Sequence, residues 1–411
     1  ERGLHGVFLV EDPRENRRLG IRRPDEHVLV LDDLLLDADG IAPPFPTDPL
    51  ENAVTHFNGR RGDLLLVNGQ ELPTIDVPNG RPQRLRIVNT ANSRFMRLSF
   101  GPGQKAWRIG GDGGLLEAPQ PVEPIGMVPG GHGAQPATAM VSDPDPGVGV
   151  MLTPGERADL VWLPSGDRNA TVSLELHDWP RGDHGAVYRD DDSIMITHDP
   201  LDGTRPPQPL AEFRLLGNAR PHLGDWTPPS DLRTIERVPT DGAVIPVTMG
   251  HGQPGPDGEV VFFMQRPNGM PKPFPKLTPD DVVTVEPGEV RLIEVTNLTM
   301  GAHNFHLHGF FFQHVETQFF DMDEPSNNQT VPAAFLENKD SILVPGRTGA
   351  AMRSRVVVRL AVKFDDLGRE GMIDAWGKQP EGDRSGGWLM HCHLLEHSDS
   401  GMMSFVQVRS R

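Results

Sequence analysis

Six of the chain's 16 histidines and its single cysteine fall in two short windows. The first is Gly301-Ala302-His303-Asn304-Phe305-His306-Leu307-His308-Gly309, and the second runs from Trp388 through His391-Cys392-His393 and His397 to Met402. Two imidazoles, a thiolate and a weak axial thioether make a trigonal blue-copper site, in which soft sulfur stabilises Cu(I). Cys392, His397 and Met402 can supply three of those ligands from one strand-and-loop, and His303 can supply the second imidazole from another strand. Structural zinc sites usually draw on two or more cysteines, so copper fits this set better.

The remaining four histidines separate from that set by strand geometry. Side chains alternate faces along a strand, so His391 and His393 share one face and Cys392 takes the other. His306 and His308 likewise share a face, and His303 takes the opposite one. Cys392 and His303 can therefore meet inside a sandwich, while His306, His308, His391 and His393 project outward together. Such a row predicts a second metal centre at a domain interface. Cys392 is bonded to both His391 and His393, so an electron on the first metal can cross two peptide links to the second. Joining a one-electron acceptor to a site that stores several electrons suits the four-electron reduction of dioxygen to water.

Strands must position these groups, and the composition supplies them. The chain has 411 residues, room for two or three domains. Its 45 glycines and 41 prolines lie scattered without a period; this suits short strands joined by turns and disfavours a helical bundle. A formal charge of −18 excludes a phosphate backbone as a plausible partner. No apolar run approaches the ~20 residues of a membrane helix, and one cysteine excludes an intrachain disulfide. Apolar runs such as Val28–Leu31 and Leu64–Val67 beside turns at Asn68-Gly69, Asn79-Gly80, Pro154-Gly155 and Pro287-Gly288 predict antiparallel Greek-key sandwiches.

An internal repeat points to two such units. Gly80, Arg84-Leu85, Ile87 and Asn89 match Gly288, Arg291-Leu292, Val295 and Asn297 at an offset of 208 residues. At that offset His303, His306 and His308 fall on Phe95, Leu98 and Phe100. One unit then fills with apolar side chains the positions where the other carries ligands. The strand-like stretch from Gly3 to Pro13 reads as the tail of an earlier domain. His56, His132, His177, His222 and His251 are expected on the surface or in loops. The acidic stretches Asp321-Met322-Asp323-Glu324 and Asp365-Asp366 read as solvated loops, with attraction of metal-ion substrates as the sharper alternative.

The two histidine motifs, HNFHLHG at 303–309 and HCHLLEHSDSGMM at 391–403, resemble those of the multicopper oxidase family, which includes laccases and bacterial cuprous oxidases. GDLLLVNG at 62–69, RLRIVNTANSRF at 84–95, GGDGGLLEAP at 110–119 and PGERADLV at 154–161 extend the resemblance over nearly the whole chain. It implies an all-β fold of tandem cupredoxin-like Greek-key β-sandwiches. Residues 1–13 would be the last strand of a first cupredoxin domain, 14–205 a second without copper ligands, 206–240 a linker and 241–411 a third that carries the metal sites. His303, Cys392, His397 and Met402 would bind type 1 copper, His306 type 2 copper, and His308, His391 and His393 the type 3 pair. The catalytic electron path would be Cys392 to His391 and His393.

The family's trinuclear cluster uses eight histidines and this chain supplies four, so first-domain histidines would be needed to close it. Two further departures are Asn304, where the family commonly has proline, and Ser398, where many bacterial relatives have a proton-delivering glutamate; Glu396 or Asp399 are the candidates to replace that carboxylate. The function implied is a copper-dependent, laccase-like oxidase that takes single electrons from phenols, aromatic amines or low-valent metal ions and reduces dioxygen. The alternative is a blue-copper electron carrier or copper-binding protein without oxygen chemistry. Family membership further implies a periplasmic or secreted protein with no membrane span and no nucleic-acid partner.

Overall fold

The computed structural model describes residues 4–125, 148–177, 179, 181–182, 184–189, 191, 193–198, 206–218, 226–265, 273–274, 282–346, 354–365 and 386–408. Alternating apolar residues cut by turns give two series of strands. The first comprises β1 (Glu26–Leu34), β2 (Leu64–Val67), β3 (Thr74–Pro78), β4 (Gln83–Asn89), β5 (Met96–Phe100), β6 (Lys105–Gly111), β7 (Gly114–Val122), β8 (Val150–Leu152), β9 (Arg157–Leu163) and β10 (Thr171–His177). The hairpin β11 (His184–Tyr188) and β12 (Ile194–His198) follows, then β13 (Gln208–Leu216). The second series is β14 (Ala243–His251), β15 (Phe262–Gln265), β16 (Val283–Val285), β17 (Glu289–Asn297), β18 (His303–Leu307) and β19 (Phe312–Phe320). It ends with β20 (Gln329–Pro332), β21 (Ser341–Val344), β22 (Arg355–Phe364), β23 (Gly386–Cys392) and β24 (Met403–Val408).

The repeat is complete at the level of topology. One six-stranded sheet runs β2-β1-β4-β9-β6-β7 and its counterpart β15-β14-β17-β22-β19-β20. The facing five-stranded sheets run β3-β13-β10-β5-β8 and β16-β24-β23-β18-β21. The sheets are mixed rather than purely antiparallel: each holds one parallel pair, β1–β4, β3–β13, β14–β17 and β16–β24. Leu29, Ile87, Trp162 and Phe213 fill the first sandwich. Phe305, Phe312, Val358, Cys392 and Met402 fill the second, together with Phe95 and Trp179 from the first unit.

Three expectations shift. Strand β13 hydrogen-bonds to β10 and β3, so the first sandwich extends to Leu216 and the connector starts after it. Residues 4–12 form no strand, and Leu4 and Phe8 are 96% and 93% exposed. Helix α1 (Pro13–Leu19) follows, with Asp12 accepting the Arg14 N–H as N-cap. The third shift is one of register. Asn89 Nδ2 donates to Arg94 O, five residues on, but Asn297 Nδ2 donates to Gly301 O, four residues on. The second unit's turn is a residue shorter, so β18 aligns with β5 at 207, and His303 matches core-facing Met96 rather than Phe95. His306 and His308 then match Ser99 and Gly101. A one-residue slip reverses every side chain's face, and burial agrees with the corrected register: Met96, Leu98 and Phe100 point inward, as do His303, Phe305 and Leu307.

Candidate metal centres

Adjacent strands β18 and β23 carry the first centre, in register at Phe305 and Cys392. Cys392 Sγ lies 3.7 Å from His303 Nδ1 and 3.5 Å from His397 Nδ1, with all three residues buried. His397 sits on the short helix α3 (Leu395–Asp399), which follows the motif directly. Met402 is fully buried, and its carbonyl accepts the Cys392 N–H at 3.1 Å, closing the loop.

The partners of the far ring nitrogens fix the tautomers. His397 Nε2 is 3.0 Å from the carbonyl of Phe57, which can only accept. Phe57 lies in the last turn of helix α2 (Pro49–Asn58), started by Asp48 as N-cap and Pro49 in the first turn. His303 Nε2 is 2.7 Å from Thr299 Oγ1, whose own hydrogen is claimed by Asn297 Oδ1 or Gly301 O. The Phe57 carbonyl requires hydrogen on His397 Nε2, and with the same tautomer at His303 the two bare Nδ1 lone pairs face each other at 3.0 Å. Burial also lifts the Cys392 thiol to about 12. Two facing lone pairs and a reluctant thiol in a dry pocket are poor packing for a core; a soft cation between them resolves all three conflicts.

The second centre forms on the outer face of the same strands. His306, His308 and His391 bring ligand nitrogens within 4.8 Å of one another. The His393 ring lies 5.3 Å from that of His306. His306 Nδ1 donates to Asp340 O at 2.8 Å, and His391 Nδ1 to Cys392 O at 2.9 Å, which leaves both Nε2 atoms bare. His391 Nε2 meets His308 Nε2 at 3.1 Å. Burial first, then the neighbouring histidines, lowers His306 to about 2. Burial is also the largest cause lowering His391 to about 4.

Several residues around these centres have contacts that the sequence reading did not assign to them. Ser398 Oγ donates to Cys392 O at 2.7 Å, the carbonyl that also holds His391, so it positions the link between the centres. Glu396 is buried, but its carboxylate accepts the Arg60 N–H at 3.0 Å and so faces the first unit. Asp399 is exposed. Asn304 Nδ2 donates to Thr153 Oγ1 at 2.6 Å, fastening the ligand strand to the first unit. Gly155 holds φ at 83°, and a Cβ there would lie 2.7 Å from His393 Nε2; only glycine lets this turn approach the ring. Behind His306, Arg157 makes a bidentate pair with Asp340 at 2.7 Å for both contacts. Buried Lys339 lies among Glu156, Asp112 and Glu337.

The other histidines are more ordered than expected. His56, His177 and His251 sit in α2, β10 and β14, and His177 is buried. His132 and His222 lie outside the described residues, as does Asp366. Asp321 accepts the N–H groups of Asp323 and Glu324 at 3.0 Å each, which commits its carboxylate to the turn.

One pH response follows from burial. His306, His314 and His391 are held to about 2, 4 and 4 by burial as the largest cause, against an ordinary value of 6.5. Below pH ~6.5 the unfolded chain binds protons that the folded chain refuses, so stability is full above that pH and falls as acid is added. Each group contributes up to ~1.4 kcal/mol per pH unit until its folded value is reached. Urea midpoints of copper-free protein should be flat from pH 8 to 7 and fall steeply from 6 to 5; a flat profile throughout contradicts the burial of these rings.

Known proteins share this arrangement. Residues 253–363 and 380–411 match the multicopper oxidase family model. A laccase of Bacillus subtilis is 24% identical over 98% of this chain and 66% of its own length. The cell division protein FtsP of Xenorhabdus nematophila is 38% identical over 31% of this chain, and the chain spans only 26% of it. The crystal structure of a McoA multicopper oxidase variant from Aquifex aeolicus superposes with a TM-score of 0.63 at 24% identity, covering 97% of this chain and 70% of that one. A metallo-oxidase from Campylobacter jejuni gives 0.61 at 21%, covering 94% and 64%. The expected all-β architecture of tandem cupredoxin sandwiches holds in these neighbours. The family implies copper, which suits the donor set on β18 and β23. The C-terminal unit, with its cysteine framed by histidines, matches the multicopper oxidase family, and the chain as a whole is similar to the laccase in sequence and to the multicopper oxidases in fold.

Proposed function

We propose that the protein is a laccase-like oxidase: it takes single electrons from a phenol, aromatic amine or low-valent metal ion and passes them to dioxygen. The observation that carries this reading is the convergence of His303, Cys392 and His397 one strand-face away from His306, His308 and His391. In this reading His303, Cys392, His397 and Met402 hold type 1 copper, His306 type 2 copper, and His308, His391 and His393 the type 3 pair. Bound copper supplies the redox couple at the first centre and the oxygen-binding site at the second. The protein's own part is to hold each imidazole in one tautomer, through Phe57 O, Thr299 Oγ1, Asp340 O and Cys392 O. It also keeps water from the thiolate, since Cys392 has no exposed surface. Four further imidazoles, from a first cupredoxin domain, complete the second centre.

No helix among the described residues is long and apolar enough to cross a membrane. We place the protein in the periplasm or outside the cell, as the family resemblance implies. Copper-loaded full-length protein given a phenolic reductant should lose and regain its blue colour with sustained oxygen uptake. A single bleaching without oxygen uptake assigns it instead to blue-copper electron transfer. The similarity to FtsP supports a further reading, a role in cell division without redox chemistry, which requires that the protein stay colourless with copper.

A further inference from the structure

The first unit brings Trp179, Arg181 and Gly182 against the second unit beside the first centre. Trp179 stacks on Phe95 at 5.7 Å and 20°, and both belong to the core that holds Cys392 and Met402. Gly182 has φ 85°, and a Cβ there would stand 2.6 Å from Met300 O, so the backbones are in direct contact. Between them, Arg181 is 4% exposed. Its guanidinium donates to Asn58 O at 2.6 Å, one residue past the carbonyl that holds His397. Its own carbonyl accepts the Ala302 N–H at 2.7 Å, one residue before His303. The guanidinium also lies over the Phe95 ring, 5.6 Å from its centroid. A single residue thus fastens the backbone beside both imidazoles.

We propose that Arg181 is the positioning residue that sets the potential of the first centre, a buried cation that favours its reduced form. This rests on the reading of that centre as type 1 copper. Reduction of a Cu(II)–thiolate pair by one electron takes its charge from +1 to 0, with no bond made or broken. A fixed positive charge disfavours the more positive state, and in a buried, weakly screened position it does so at longer range than in water. Guanidinium suits the task because it stays charged when buried and its planar fork can be held rigidly.

The test is a potentiometric titration of the blue band in the copper-loaded chain, comparing wild type with Arg181→Gln and Arg181→Lys. Arg181→Gln should shift the Cu(II)/Cu(I) equilibrium about tenfold toward the oxidised form, ~59 mV for a one-electron couple, without moving the band. Arg181→Lys, which keeps the charge, should shift it much less. If the glutamine variant does not fold, Arg181→Met, with no polar head to bury, makes the same comparison. A midpoint unmoved by loss of the charge overturns the proposal, and so does a lysine variant that falls as far as glutamine. A wild-type chain that never turns blue overturns the copper reading itself, and this proposal with it.

Discussion

Cys392→Ser should abolish the blue colour and oxidase turnover together, whereas His308→Ala should keep the colour and lose only oxygen reduction. Serine offers a hard hydroxyl in place of a soft thiolate, and soft sulfur is what holds and colours a Cu(I)/Cu(II) couple in a trigonal site. With the sulfur gone, the two Nδ1 lone pairs 3.0 Å apart keep their mutual repulsion without a third ligand. Cys392 also carries the covalent link toward His391 and His393, so both centres lose their connection. His308 differs in every respect: it is exposed, stands past the end of β18, and meets only the second centre. Surface truncation costs within about 0.5 kcal/mol, so lost turnover in His308→Ala cannot be blamed on unfolding. Absorbance near the blue band and oxygen uptake on the same samples decide it. Full activity in His308→Ala would mean that the histidines are divided wrongly between the centres.

The two clusters of histidine and cysteine were readable in the sequence because their information is local. Alternation along two strands separates Cys392 from His391 and His393, and β18 and β23 are neighbours that keep that parity. What holds the ligands was not readable, because it arrives from far along the chain. Phe57, Gly155, Arg157 and Arg181 belong to the first unit, and no spacing rule connects them to histidines 303–397. The repeat misplaced the histidines by one for a related reason. Asn89 and Asn297 align, but the turn that follows each differs by a residue, and parity amplifies that difference into opposite faces. Strand β13 is hard to tell from the connector in the sequence because prolines and polar residues surround it, and four of its nine positions are exposed. Ser398 shows the reverse lesson: a missing glutamate drew notice, while the hydroxyl's own task, holding Cys392 O, needed coordinates.

Lys339→Met should cost about 3–5 kcal/mol of stability, a large share of the ~5–15 kcal/mol of a typical domain. The ammonium is 5% exposed and lies 2.9 Å from Glu156, 3.6 Å from Asp112 and 3.7 Å from Glu337. Burial alone would pull lysine down, but those three carboxylates hold Lys339 above its ordinary range. Asp112 and Glu156 come from the first unit and Lys339 from the second, so the ion cluster is a weld between sandwiches. Methionine fills the volume and removes the charge, leaving carboxylates in low dielectric with only Arg157 and Arg108 to answer them. Urea midpoints at pH 8, at unchanged slope, measure the deficit. The damage should also reach the second centre before the first, because the Lys339 chain neighbour Asp340 supplies the carbonyl that orients His306. Copper at the second centre should fall while the blue band survives; a deficit below about 0.5 kcal/mol at pH 8 would show that the cluster fastens nothing.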